Sequence, residues 1–276
     1  RGLGDVYKRQ AEQSQIRAVA DYDNLLQQMQ AETLAEEWKK AQEYNESLMG
    51  EPVHDPFLEG SGKALPQNYL DILHISDTMG TVEIPKILVS LSIYHGTDAG
   101  TLDKGVGHMR QTAMPIGGEG THAVLTGHTG LPNAKMFDNL TRLVIGDKFY
   151  IHVLGETLAY EVDQISTVLP EEIELLNPVD GEDHITLLTC TPYGVNTHRL
   201  LVRGVRVPYV EEEFYQQFAL QEGMTLFEQL VVQAAIIGSA VLAVLVTMLI
   251  LYLRRRKGAS APLPYRQHRS GGRENR

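Results

Sequence analysis

Apolar residues recur near helical spacing between Ala11 and Met49. Ile16, Val19, Leu25, Leu26, Met29, Leu34 and Trp38 form the stripe, and Glu, Gln and Lys fill the positions between them. This spacing predicts a helical segment over 11–50, stopped by Gly50-Glu51-Pro52. Residues 51–67 carry Pro52, Pro56 and Pro66 among glycines and read as a loop, long enough to have a role of its own. From Tyr69 to Val210 the period shortens to that of strands. The predicted strands are Gly80–Ile87, Ser90–Tyr94, Ala123–Thr126, Lys148–Leu154, Thr157–Val168, Ile185–Thr189 and Leu200–Val207. Phe149-Tyr-Ile-His-Val-Leu154 alternates clearly, and Gly155-Glu156 reads as the turn of a hairpin. Short helices are expected at Met136–Leu140 and Pro170–Leu176. Many β-branched strands at this spacing predict an all-β body, either a closed barrel or a sandwich.

Beyond the body, Glu211 to Glu228 reads as a helix. Residues 230–253 then form an unbroken apolar run without a charge, with Gln233 as its one amide. At about 1.5 Å per residue such a helix reaches ~36 Å, enough to cross a ~30 Å hydrocarbon core with some tilt. A buried core helix would rarely lack a polar face for so long. Arg254-Arg-Arg-Lys257 follows at once, so the positive-inside rule puts 254–276 in the cytoplasm and the body outside the membrane. The juxtamembrane helix is therefore expected over 211–229 and the transmembrane helix over 230–253.

Charge divides the same way. Eight Lys/Arg and one acidic residue lie from Arg254 onward, which leaves 16 basic and 34 acidic residues before it. A body this acidic lacks the basic footprint that nucleic-acid binding needs. Residues 1–10 match nothing downstream and read as a sequence artefact. An exported body needs a signal, so a further apolar segment is expected ahead of the residues given.

Cys190 is the single cysteine of the 276 residues, so no internal disulfide is open to it. It ends the predicted strand His184-Ile-Thr-Leu-Leu-Thr-Cys190. His128 follows Ala123-Val-Leu-Thr-Gly127, and Arg199 opens the next strand after Cys190. Residues at strand ends on a rigid scaffold are well placed to meet in a cleft. Their types suit acyl transfer. A thiolate attacks a carbonyl, an imidazole moves the proton, and a permanently charged guanidinium stabilises the oxyanion. Spacing alone leaves Cys190 open to a core role, His128 to a turn role, and Arg199 to replacement by Arg203 or Arg206. A metal reading is weaker: His122, His128, His184, Cys190 and His198 fit no zinc spacing, and the acidic pairs Glu171-Glu172 and Glu182-Asp183 lack the density of a calcium loop.

Thr126-Gly-His128, Thr186-Leu-Leu-Thr-Cys190 and the Arg nine residues further on resemble the signature of sortases, the cysteine transpeptidases of Gram-positive cell surfaces. The resemblance covers about Tyr69 to Val210. It implies a closed eight-stranded sortase-type β-barrel over 68–210, with His128 as general acid/base, Cys190 as nucleophile and Arg199 on the oxyanion side, and no cofactor. His128-Thr-Gly-Leu-Pro132, the basic-ended C-terminal span and Asp55-Pro56-Phe57 resemble class C, the pilus-assembly sortases. In that class an Asp-Pro-aromatic lid plugs the groove, which implies that Asp55, Pro56 and Phe57 within loop 51–67 form such a lid. The partners implied are pilin subunits with LPxTG-like C-terminal signals and a pilin lysine as acceptor. Two other readings remain: a wall-anchoring sortase that uses a peptidoglycan-precursor amine, and a membrane-tethered β-domain without catalysis.

Overall fold

The computed structural model describes residues 3–48, 68–131, 136–221 and 248. Eight strands close into a barrel: β1 (Gly80–Ile84), β2 (Val89–His95), β3 (Val106–His108), β4 (Thr121–Thr126), β5 (Lys148–Val153), β6 (Glu156–Val168), β7 (Asp183–Thr191) and β8 (His198–Val207). The order around the barrel is β1-β2-β3-β4-β7-β8-β6-β5, with β5 returning to β1. Pairing is antiparallel except for β2 with β3 and β4 with β7. The barrel alternative predicted from the strand pattern is therefore the one observed.

Period-2 alternation explains the core. On β5, Phe149, Ile151 and Val153 are fully buried in the barrel, where they meet Ile185 and Leu187 of β7 and Val202 of β8. Their neighbour Tyr150 turns the other way and meets Phe214 of a terminal helix, α4 (Glu211–Gln221), ring edge to face at 4.8 Å. The β5–β6 hairpin turns on Leu154-Gly155, one residue earlier than expected, because Val153 pairs with Glu156. Both central residues have positive φ, 49° and 85°, the backbone that matches the twist of a two-residue hairpin. Leu154 is held in it by its N–H, which donates to the Tyr22 hydroxyl at 3.0 Å.

The N-terminal segment differs from the single helix expected. Two helices, α1 (Leu3–Gln28) and α2 (Ala31–Leu48), break at Met29-Gln30. The break keeps Leu26, Met29, Leu34 and Trp38 all against the barrel core, while Ile16 and Leu25 of the expected stripe are exposed. Residues 3–10, set aside in the sequence reading, form the first turns of α1. The helix expected at Pro170–Leu176 is reduced to a 3-10 turn at Glu174–Leu176, and the one expected at Met136–Leu140 is not formed: 136–139 are bends and turns, and a 3-10 turn follows at Leu140–Arg142. A short helix, α3 (Ala99–Leu102), was not expected.

The chain divides into two compact units between Glu222 and Gly223. Among the described residues no helix is long and apolar enough to cross a membrane. The expected span 230–253 lies outside the described residues apart from Met248, as do the expected lid loop 51–67 and the tail 254–276.

Candidate active site

The three candidate residues come from neighbouring strands. Cys190 on β7 and Arg199 on β8 are direct partners in the antiparallel ladder, so their side chains leave the sheet on one face. β4 lies on the other side of β7 and runs parallel to it, with Thr126 level with Leu188. Two bonds carry the pairing past the end of β4: Gly127 N–H donates to Leu188 O at 3.0 Å, and the Thr189 hydroxyl donates to Gly127 O at 2.7 Å. His128 therefore follows at the level of Cys190. All three residues are half-buried.

The face they share is the outer one. Ala123, Leu125, Ile185, Leu187, Leu200 and Val202 belong to the barrel core. Their alternate neighbours Val124, Leu188 and Leu201 form a second apolar cluster with Met109 and Leu176. Cys190 and Arg199 stand two residues from Leu188 and Leu201, and the same alternation brings His128 round from Val124 by way of Thr126.

The Thr-Gly-His turn has a steric cause. A Cβ on Gly127 would lie 2.7 Å from the Phe137 ring, and the Phe137 backbone N–H donates to His128 O at 3.0 Å. Asp138 organises the chain after His128, accepting from Gly130 N–H at 2.8 Å and Met136 N–H at 3.1 Å. Arg199 reaches along its own strand end, with Nη1 3.4 Å from Asn196 O and 3.3 Å from His198 O.

The alternative arginines are occupied elsewhere. Arg203 pairs with Asp163, its Nε 3.1 Å from both carboxylate oxygens, and sits opposite Thr186 rather than Cys190. Arg206 lies 3.7 Å from Asp183, at the start of β7. Of the histidines considered as ligands, His122 and His184 are buried side by side near the start of β4 and β7, away from Cys190. Among the described residues no three His, Cys, Asp or Glu side chains group so as to hold a metal ion.

The sequence reading missed the cleft beside Arg199. Met109, Leu188 and Leu201 form its floor, and Leu169, Ile173 and Leu176 from the β6–β7 connection form its far wall. About 10 Å³ of free space separates them, so the walls are nearly in contact. The signal available in the sequence was the even-numbered face of His184–Cys190, which carries Leu188 where a solvated barrel exterior would carry a polar residue.

Comparison with known proteins agrees with this geometry. The sortase-domain family profile matches residues 82–207. Sortase A of Streptococcus agalactiae is 29% identical over 134 residues, covering 48% of this chain and 53% of its own length. Sortase D of Bacillus subtilis is 30% identical over 131 residues, covering 46% and 63%. The chain thus spans between half and two thirds of the length of these curated relatives. Among solved structures, sortase C-1 from Actinomyces oris is similar at 54% identity and a TM-score of 0.61, over 64% of this chain and 99% of that one. Sortase C-1 from Streptococcus pneumoniae follows at 48% identity and a TM-score of 0.65, over 70% and 100%. With the barrel, the strand-end cysteine and these likenesses together, the chain belongs to the sortase family, and its solved neighbours are class C sortases.

Proposed function

We propose that this chain is a membrane-anchored cysteine transpeptidase that cleaves an LPxTG-like sorting signal after Thr and passes the acyl group to a pilin lysine, so building a pilus. The observation that carries the reading is the Cys190–Arg199 ladder pair lying one strand from the end of β4 and His128. In the first half-reaction the Cys190 thiol gives its proton to His128 and Sγ attacks the Thr carbonyl carbon, while Arg199 stabilises the negative oxygen that forms. His128 then protonates the Gly nitrogen as the Thr–Gly bond breaks, leaving a thioester. In the second, a lysine amine loses its proton to His128 and attacks the thioester carbonyl. An isopeptide bond forms and the Cys190 thiolate leaves.

The pilus role draws support from the solved neighbours, one of which, 42% identical, is described as sortase C1 of a pilus island of group B Streptococcus. Anchoring through 230–253, with the body outside the cell, belongs to the same proposal. So does a lid made of Asp55, Pro56 and Phe57. Replacing Cys190 with Ala is expected to abolish cleavage of a sorting peptide and the trapped acyl-enzyme seen by mass spectrometry; retained cleavage removes Cys190 from the mechanism. Phe57→Ala is expected to raise the rate at which a thiol reagent labels Cys190, and an unchanged rate removes the lid from the proposal. The wall-anchoring alternative is separated by its product: single proteins joined to wall precursor instead of covalent pilin ladders.

A further inference from the structure

Two turns and a helix at one corner of the barrel present large apolar side chains to solvent. The first turn is the 3-10 turn Pro85–Ile87 with Leu88, between β1 and β2. Leu88 has a φ of 53°, a left-handed backbone that suits Gly or Asn, yet a leucine occupies it with its side chain more than half exposed. The second turn, Val144–Asp147 ahead of β5, is closed by Asp147 N–H donating to Val144 O at 3.1 Å. Gly146 takes the positive φ, 91°, and Ile145 is left at the tip, where turns favour polar residues. Val144 and Ile145 are also more than half exposed. Lys86 ties the two turns together through both carboxylate oxygens of Asp147, at 2.9 and 2.7 Å. Helix α4 packs against Pro85–Ile87 and is held by the Lys148–Glu213 ion pair, and its exposed Tyr215 lies beside the docked Phe214.

We infer that this corner is a membrane-contact surface: Leu88, Val144 and Ile145 enter the interfacial zone of a lipid bilayer, with the Tyr215 ring beside them. The inference rests on the proposed anchoring through 230–253. Eight residues, 222–229, separate Gln221 at the end of α4 from that run, and fully extended they reach at most ~30 Å. A tether this short keeps the corner at high effective concentration near lipid, so a few aliphatic tips suffice for a contact too weak to form alone. The charges favour the apolar zone over anionic headgroups. Lys86 and Lys148 are already paired, and although Arg142 is exposed, so are Glu211 and Glu212, which together make no basic footprint. The contact also bears on the reaction centre. Gly146 N–H donates to Val162 O of β6 at 2.8 Å, and six residues further along β6 Val168 pairs with Arg199. Seating the corner would therefore hold Arg199 about 20 Å from it along the strand.

The test uses the full chain in phosphatidylcholine vesicles and reads no activity. Cys190→Ala removes the native thiol, so that one introduced thiol carries an environment-sensitive fluorophore. That thiol comes from Ile145→Cys or, as the control, from Glu119→Cys in the exposed turn ahead of β4. Quenching by brominated acyl chains is expected to be about threefold or more stronger at 145 than at 119, and the excess should shrink when Leu88→Ser and Val144→Ser are added. Equal quenching at the two positions, in a chain that stays with the vesicles through alkaline washing, overturns the inference while the anchoring stands. Weak quenching at 145 together with efficient joining of two Ile145→Cys chains by a short bis-maleimide makes the corner an interface between copies and overturns it as well. A chain that washes off the vesicles overturns the anchoring and the inference together.

Discussion

His108 and His122 are wired alike, although they sit on different strands. Each is buried, and each ring joins a backbone carbonyl to a hydroxyl. His108 Nε2 lies 2.8 Å from Ala113 O and its Nδ1 lies 2.9 Å from the Tyr69 hydroxyl. In both cases the nitrogen that faces the carbonyl donates, and in the neutral ring that burial favours the other nitrogen is left to accept from the hydroxyl. Burial is the main reason that both pKa values are lowered to about 4, and it lowers those of His95 and His184 as well. The unfolded chain takes up these protons near pH 6.5 and the folded one does not, so stability should fall as pH drops from about 6.5 toward 4. Asp183, raised mainly by burial, acts with the opposite sign at the acid end of that range. Melting temperatures measured from pH 7 to pH 4.5 should decline in the wild type and decline less in His122→Asn. A flat wild-type profile contradicts the assignment of neutral, buried rings.

Helix α2 is fastened to the barrel by polar contacts as much as by apolar ones. The Asn45 amide accepts from Met114 N–H at 2.6 Å and donates to Met114 O at 3.3 Å, and the Tyr44 hydroxyl donates to Arg110 O. Asn45 is 6% exposed, so Asn45→Ala leaves two backbone groups of the β3–β4 connection without these partners. The expected cost is about 1–3 kcal/mol. Hydrogen exchange should accelerate in α2 and around Met114 while β5 and β6 stay protected; uniform acceleration would mean that helix and barrel unfold as one unit. Elements with strong alternation, such as Phe149-Ile151-Val153, were legible in the sequence to within a residue or two. β3 was not, because Val106-Gly-His108 holds a single apolar side chain and derives its strand character from pairing with β2 and β4. The α1–α2 break was also hidden. So was the anchor of α1: Tyr22 is fully buried and bonds Met79 O and Leu154 N–H, yet it lay outside the apolar stripe read as the helix face.

On the scale of the molecule, the candidate site was legible as three residue types at strand ends, and the cleft beside it was not. Strand ends show as the last residue of an alternating run. The cleft exists because β4 pairs in parallel with β7 across the intervening β5–β6 hairpin, and because 169–182 folds back over the resulting face. Neither event leaves a local pattern. The parallel pairing has one more result. No contiguous stretch of the chain that stops short of the seventh strand holds both the imidazole and the sulfur, and the guanidinium comes only with the eighth. On the proposed mechanism, a polypeptide emerging from its N-terminal end holds no complete set of reacting groups until its last β segment has closed the ring, so acyl chemistry would come to it in a single late step.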